Sequence, residues 1–168
     1  NQKKSHKNIR FVKTTLRFYK LTILKKMYTQ IEIETHFEGK LKIAYLNQPE
    51  TYNSLNKVLL QELKNFIVAC NEDENVRCVA LSGRGKAFCS GQNLKEALSL
   101  GNVEEERVIQ KMVVDYYNPL VEEIAHCRKP VVCLVYCPGV GAGAIFAGFC
   151  VFFLATEKYY FSQAFLNI

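Results

Sequence analysis

An α/β fold with largely parallel strands is what these 168 residues predict. Near the front, residues 29–37 and 41–46 alternate apolar and polar side chains, as half-buried strands do. Further on, residues 76–82 (VRCVALS) and 131–135 (VVCLV) read as buried strands, and each runs into a glycine-rich loop. Stretches with apolar residues at helical spacing lie between them, and strands alternating with helices pair mostly in parallel.

Taken in order, TQIEIETHF (29–37) and LKIAYL (41–46) form a β-hairpin through the turn Glu38-Gly39-Lys40, and Asn47-Gln48-Pro49-Glu50 breaks the second strand. A helix follows. Asn53 or Ser54 caps it, because either side chain can accept from a free backbone N–H. Leu55, Val58, Leu59, Leu63, Phe66 and Ile67 recur on its core face, and the polar run Asn71–Asn75 ends it. After the loop 83–93 (GRGKAFCSGQN), a long amphipathic helix covers about 104–127. Val108, Ile109, Met112, Val113, Tyr116, Leu120, Val121 and Ile124 share one face, and Pro119 should kink the helix. Asp115, Glu122 and Glu123 belong to its solvated side, and Tyr116 and Tyr117 to the core or its rim. Residues 136–150 are glycine-rich and then helical, and 151–155 (VFFLA) form another strand.

The composition is globular, with 49% hydrophobic and 23% charged residues, enough to bury a real core. The net charge of +6 belongs to the front of the chain. Residues 1–26 hold nine Lys/Arg and no acid; without those nine, 13 basic residues face 16 acidic ones, a formal −3. No nucleic-acid partner is therefore expected for the body of the chain. The chain divides into a basic leader, 1–26, and a folded part, 27–168. The leader reads as upstream sequence or a disordered arm before Met27; a transit peptide is the rival, although the segment is Lys-rich rather than Arg/Ser-rich. Seven cysteines (70, 78, 89, 127, 133, 137, 150) include no CxxC pair, so neither a disulfide framework nor a zinc site is indicated, and buried free thiols in a reducing cytoplasm are the simplest account. His6, His36 and His126 are isolated, without metal-ligand spacing.

Both glycine-rich loops follow a strand and precede a helix, where free N–H groups are available and a ligand can approach the backbone closely. The wording of these segments resembles the enoyl-CoA hydratase/isomerase (crotonase) superfamily. Residues 43–56 (IAYLNQPETYNSLN) are similar to its strand–turn–helix opening, 76–96 (VRCVALSGRGKAFCSGQNLKE) to its first signature, and 129–144 (KPVVCLVYCPGVGAGA) to its second. Residues 159–168 (YYFSQAFLNI) resemble the stretch that follows, and GAGA with FSQAF is closest in wording to the phenylacetate-pathway isomerases. The resemblance covers about Met27 to Ile168.

It implies a spiral of β-β-α units, incomplete at the C-terminus, and an acyl-CoA thioester as substrate with no separate cofactor. It implies an oxyanion hole made by the backbone N–H groups of Gln92 and Ala142, with Tyr52, Ser54, Ser90, Asn93, Leu94 and Gly141 around the CoA ester. It also implies enoyl-CoA isomerase or hydratase chemistry in fatty-acid or aromatic-acid breakdown, a cytoplasmic location, and a homo-oligomer, a trimer or dimer of trimers. Several residues depart from the family pattern. Ile145 stands where hydratases carry a glutamate and cannot act as acid or base. Asn93 and Val151 replace aspartates, and Tyr136-Cys137 replaces Asn-Gly. The family's next segment, with a second acid and the helices that cover the acyl pocket, would lie past Ile168. Weak or no turnover is therefore expected of these residues alone, with exposed Tyr160, Phe161 and Phe165 promoting association. A non-catalytic remnant or acyl-CoA-binding module is the alternative.

Other readings of the same residues are weaker. Residues 131–155 carry no charge and contain Gly139-x-x-x-Gly143, a pattern shared with membrane helices, but Pro138 and four glycines interrupt the run, and buried parallel strands give the same hydropathy. Gly139–Ala144 fits a GxGxxA dinucleotide motif with Glu157 downstream, yet sits too late in the chain to open a βαβ series. GRGKAF lacks the spacing and the Ser/Thr of a phosphate loop.

Overall fold

A computed structural model describes residues 28–93 and 105–163. The predicted hairpin is present: β1 (Ile31–His36) pairs antiparallel with β2 (Leu41–Leu46), Ile31 opposite Leu46. Its turn is tighter than a plain Gly turn, because Phe37, Glu38 and Gly39 all take positive φ. β2 pairs in parallel with β3 (Cys78–Gly83), β3 with β4 (Val131–Val135), and β4 with β6 (Phe152–Ala155), giving a five-stranded sheet of order β1-β2-β3-β4-β6. Beside it, β5 (Gly139–Val140) pairs in parallel with β7 (Phe161–Ser162).

The first helix, α1 (Lys57–Glu72), starts later than the sequence suggests. Asn56 is its cap, the side chain accepting from Leu59 N–H at 2.9 Å, and neither Asn53 nor Ser54 serves. Leu59, Leu60, Leu63, Phe66, Ile67 and Cys70 form its buried face. Val58, expected in that face, is exposed, because helical spacing places it across the helix from Leu63, Ile67 and Cys70, whereas Leu60 falls at the edge of their arc, beside Ile67. Glu62 on α1 is buried and accepts from Thr29 N–H, Thr29 Oγ, Gln30 N–H and Ile31 N–H at 2.7–3.1 Å, which ties the helix to the start of β1. An aspartate would be one methylene too short to make the same reach from a helix.

The long helix is interrupted. α2 (Glu105–Met112) passes into a π-helical turn, Val113–Tyr117, and then into α3 (Asn118–Ala125). Asn118 N–H reaches back five residues to Val113 C=O. Pro119 follows directly and has no N–H to give the Asp115 carbonyl, so the predicted irregularity takes the form of a widened turn just before the proline. The widened turn breaks the single apolar stripe: Met112, Leu120 and Ile124 are buried, whereas Ile109 and Val113 are exposed. α3 packs against α1.

β3 is buried on both faces, as a central parallel strand should be. β6 is not. Phe152, Phe153, Leu154 and Ala155 are all exposed, because among the described residues β6 is the outer strand. Tyr160 is also exposed, but Phe161 packs against the core and stacks edge-on with Phe153 at 5.4 Å; Phe165 lies outside the described residues. No helix among the described residues is long and apolar enough to cross a membrane, so the uncharged run 131–155 is strand, turn, a seven-residue helix α4 (Ala142–Gly148) and strand. All seven cysteines are unpaired. Cys70, Cys89, Cys133 and Cys150 are buried, while Cys78, Cys127 and Cys137 are only half-buried.

Candidate active site

Parallel strands deliver their loops to one end of a sheet, and ligands of such folds bind there. The segments leaving β2, β3 and β4 meet at that end, and one asparagine joins the first two. Asn53 is fully buried with φ of +56°. Its Oδ1 accepts from Gln48 N–H at 2.8 Å, and its Nδ2 donates to the carbonyls of Arg84 and Ala87, each at 2.8 Å. Ser90 adds to this seam, its N–H donating to Tyr52 C=O at 3.0 Å and its hydroxyl to Thr51 C=O at 3.2 Å.

Below the seam, Leu55 and Gln92 form a parallel bridge. Leu55 N–H donates to Gly91 C=O at 2.7 Å, and Asn93 N–H to Leu55 C=O at 2.9 Å. In an extended strand successive N–H groups alternate sides, so with both of those groups facing Leu55, the N–H of Gln92 faces away from it. On that other side runs the segment after β4. Phe88 N–H donates to Pro138 C=O at 3.0 Å, Val140 N–H to Cys89 C=O at 2.9 Å, and Gly141 N–H to Ser162 C=O at 2.7 Å.

Two glycines set the closeness of these turns. Gly91 has φ of +94°, and a Cβ there would stand 2.9 Å from the Val140 oxygen and 3.3 Å from the Ala142 nitrogen. Gly141, at φ +54° and ψ −125°, makes the turn into α4 that only glycine takes without strain, leaving Ala142 as the first helical residue. A first helical N–H has no acceptor within its own helix. The turns carrying Gln92 and Ala142 therefore adjoin, and a side chain at Gly91 would collide with the second of them.

The remaining predicted site residues are distributed around this point. Tyr52 is exposed on the rim in a left-handed conformation, Ser90 and Asn93 are half-buried, and Ser54 is buried. Leu94 lies outside the described residues. Ile145 is partly exposed on α4 and Val151 is exposed before β6. Neither loop segment, 83–93 or 136–156, contains an Asp or Glu. No group of three metal-ligating side chains gathers among the described residues.

Two contributors escaped the sequence reading. Asn53, a cap candidate by sequence, is the clamp between loops; the signal for it is an Asn in a turn, the residue that tolerates left-handed backbone best after glycine. Tyr117 donates its hydroxyl to Gln92 Oε1 at 2.5 Å, across 25 residues of sequence. At the mouth of the loop, Arg84 bonds Glu32 and Glu34 and lies 3.6 Å over the Tyr45 ring, and those carboxylates hold its guanidinium more strongly protonated than usual. Tyr136 donates to the Gly83 carbonyl, which gives the departure from Asn-Gly at 136–137 a structural use. Burial pushes the Cys89 thiol up to about 12, so it sits beneath the site as a neutral packing group.

The sequence profile of the enoyl-CoA hydratase/isomerase family matches residues 37–168. The chain belongs to that family. It is similar to the 1,2-epoxyphenylacetyl-CoA isomerase of Escherichia coli, at 35% identity over 118 residues, covering 68% of this chain and 44% of the relative. Among solved structures it is similar to an enoyl-CoA hydratase of Mycobacterium smegmatis (27% identity, TM-score 0.74, 83% of this chain and 52% of that one). An enoyl-CoA hydratase of Bacillus anthracis is alike at 29% identity and TM-score 0.71, over 83% of this chain and 53% of that one. The crotonase-type fold expected from the loop wording is thus the observed one, and the chain spans about half the length of the family members it matches.

Proposed function

We propose that the chain binds an acyl-CoA thioester and polarises its carbonyl between the N–H groups of Gln92 and Ala142, as an enoyl-CoA isomerase or hydratase does when it stabilises an enolate. The observation that carries this reading is the contact at Gly91, which brings the Ala142 nitrogen within 3.3 Å of where a Cβ would stand beside Gln92. On this reading one carbonyl oxygen accepts from both donors. Each such donor is worth about 3–4 kcal/mol of barrier in acyl chemistry. Tyr52 and Ser90 on the rim, with Ser54, Asn93, Leu94 and Gly141 nearby, are proposed to hold the CoA portion. The acyl group is a fatty or aromatic acid, a reading supported by the similarity to an isomerase of an aromatic CoA ester.

Enolate stabilisation needs a partner that moves the α-proton. Isoleucine at 145 and the acid-free loops leave none in the described site, so turnover by these residues alone is weak or nil. A crotonase-like acyl-CoA-binding module without catalysis is the alternative consistent with the same missing acid. Titration with butyryl-CoA and with free coenzyme A tests the first point: tighter binding of the thioester supports the donor pair, and equal or no binding refutes it. Assaying crotonyl-CoA hydration and double-bond shift then separates enzyme from binding module. Self-association into a homo-oligomer, as a trimer or dimer of trimers, is supported by the exposed apolar strand β6 with Phe149 and Val151 beside it. A clean monomer in light scattering would count against it. The unpaired thiols support a reducing, cytoplasmic setting.

A further inference from the structure

We infer that Tyr117 is a positioning residue for the oxyanion donor: its hydroxyl, presented by the π-helical turn, fixes the Gln92 side chain and thereby the aim of the Gln92 N–H. This rests on the thioester-binding reading above. Three observations carry it. The Tyr117 hydroxyl donates to Gln92 Oε1 at 2.5 Å, a short contact. Around Gln92 the backbone bonds among the described residues run through Gly91 and Asn93 to Leu55, while the bonds on the opposite edge, to Pro138 and Val140, stop at Phe88 and Cys89. And Tyr117 is the last residue of the widened turn Val113–Tyr117, an irregularity that recurs at functional sites and is locked here by Asn118 N–H bonding to Val113 C=O ahead of Pro119.

The mechanical argument follows from strand geometry. A strand side chain stands roughly perpendicular to the direction of its hydrogen bonds. Past Cys89 the described bonds of the segment lie along the Leu55 edge, so it can still roll about its own axis there, and rolling swings the N–H of Gln92 away from that of Ala142. Anchoring the side chain at its far end stops the roll. The Gln92 carbonyl oxygen of the amide is the acceptor, so its Nε2 turns toward Asn93 C=O, at 3.4 Å, which closes the loop on itself. Glutamine at 92 is then chosen for its side chain, although its backbone does the work at the substrate.

The test uses the full chain and butyryl-CoA isotope-labelled at its thioester carbonyl, a saturated ester that can be neither hydrated nor isomerised. Infrared difference spectra read the downshift of the bound carbonyl, and titrations read affinity for the thioester and for free coenzyme A. Tyr117→Phe removes only the hydroxyl. It should lose at least half of the carbonyl downshift and about fivefold in thioester affinity, the worth of one ordinary hydrogen bond, with affinity for free coenzyme A unchanged. Gln92→Leu, which keeps the backbone N–H but leaves Tyr117 without its acceptor, should behave like Tyr117→Phe. If wild type shifts the carbonyl and Tyr117→Phe shifts it equally, the positioning role is wrong and the donor pair stands. If wild type gives no shift, the donor pair itself is wrong and this role falls with it. Equal losses for thioester and free coenzyme A in Tyr117→Phe would reduce Tyr117 to a structural residue and also overturn the inference.

Discussion

Asn53→Ala is the sharpest test of how the candidate site is assembled. The side chain is fully buried and makes three hydrogen bonds of 2.8 Å, to Gln48 N–H and to the carbonyls of Arg84 and Ala87. At a net value of about 1 kcal/mol each, their loss removes about 3 kcal/mol. The backbone at φ +56° adds about 1 kcal/mol more, because alanine lacks the local hydrogen bonding that reconciles asparagine to the left-handed region. The expected total is about 4 kcal/mol, a large share of the 5–15 kcal/mol that holds a typical domain. In urea, with a slope of about 2 kcal/mol per molar, the midpoint should fall by about 2 M without a change of slope. Asn53→Gly separates the two contributions: it relieves the backbone and should recover about 1 kcal/mol relative to alanine. The loss should also be felt at the ligand, since the clamp joins the segment carrying Tyr52 to the loop that leads to Gln92. A loss below about 1 kcal/mol for Asn53→Ala, or identical midpoints for Ala and Gly, would refute the reasoning.

Three more expectations follow from particular contacts. Gly91→Ala puts a methyl 2.9 Å from the Val140 oxygen at a φ of +94°, so the turns carrying the two donors must part; thioester affinity should drop by about tenfold or more in a calorimetric titration, and unchanged affinity would show that the turns need not touch. Glu62→Ala strips four acceptor contacts from the start of β1 and should cost about 3–5 kcal/mol, with the amides of Gln30 and Ile31 becoming the fastest-exchanging of the strand; full protection there would contradict the tether. Hydrogen bonding from Arg84 holds the Glu34 carboxyl below the usual carboxylate range, helped by His36. A depressed folded pKa means that its stabilisation is complete above the ordinary glutamate range and is lost as the pH falls through the lower, folded value. An NMR titration should find the Glu34 midpoint low in wild type and returned upward in Arg84→Met; equal midpoints would break the assignment.

Local pattern was enough to read much of this chain. The alternation in 29–37 and 41–46 fixes a hairpin because a period of two can bury only one face of a strand. The continuous apolar runs at 76–82 and 131–135 fix central parallel strands, and the glycine-rich wording after each points to the family. Pro119 announced its irregularity, since a missing N–H must show wherever the helix is built. What the pattern could not decide depends on partners distant in the chain. Asn53, Ser54 and Asn56 are all able to cap a helix; only the carbonyls of Arg84 and Ala87, more than 30 residues away, draw Asn53 out of that role and leave Asn56 to fill it. Hydropathy reads Val151–Ala155 as buried, yet burial is a property of neighbours, and an outermost strand has a neighbour on one side only. Tyr117 carries no mark of function in its own segment. Its role exists because the sheet brings Gln92 to the widened turn of a helix that follows it, a meeting made by tertiary packing and by nothing local to either residue.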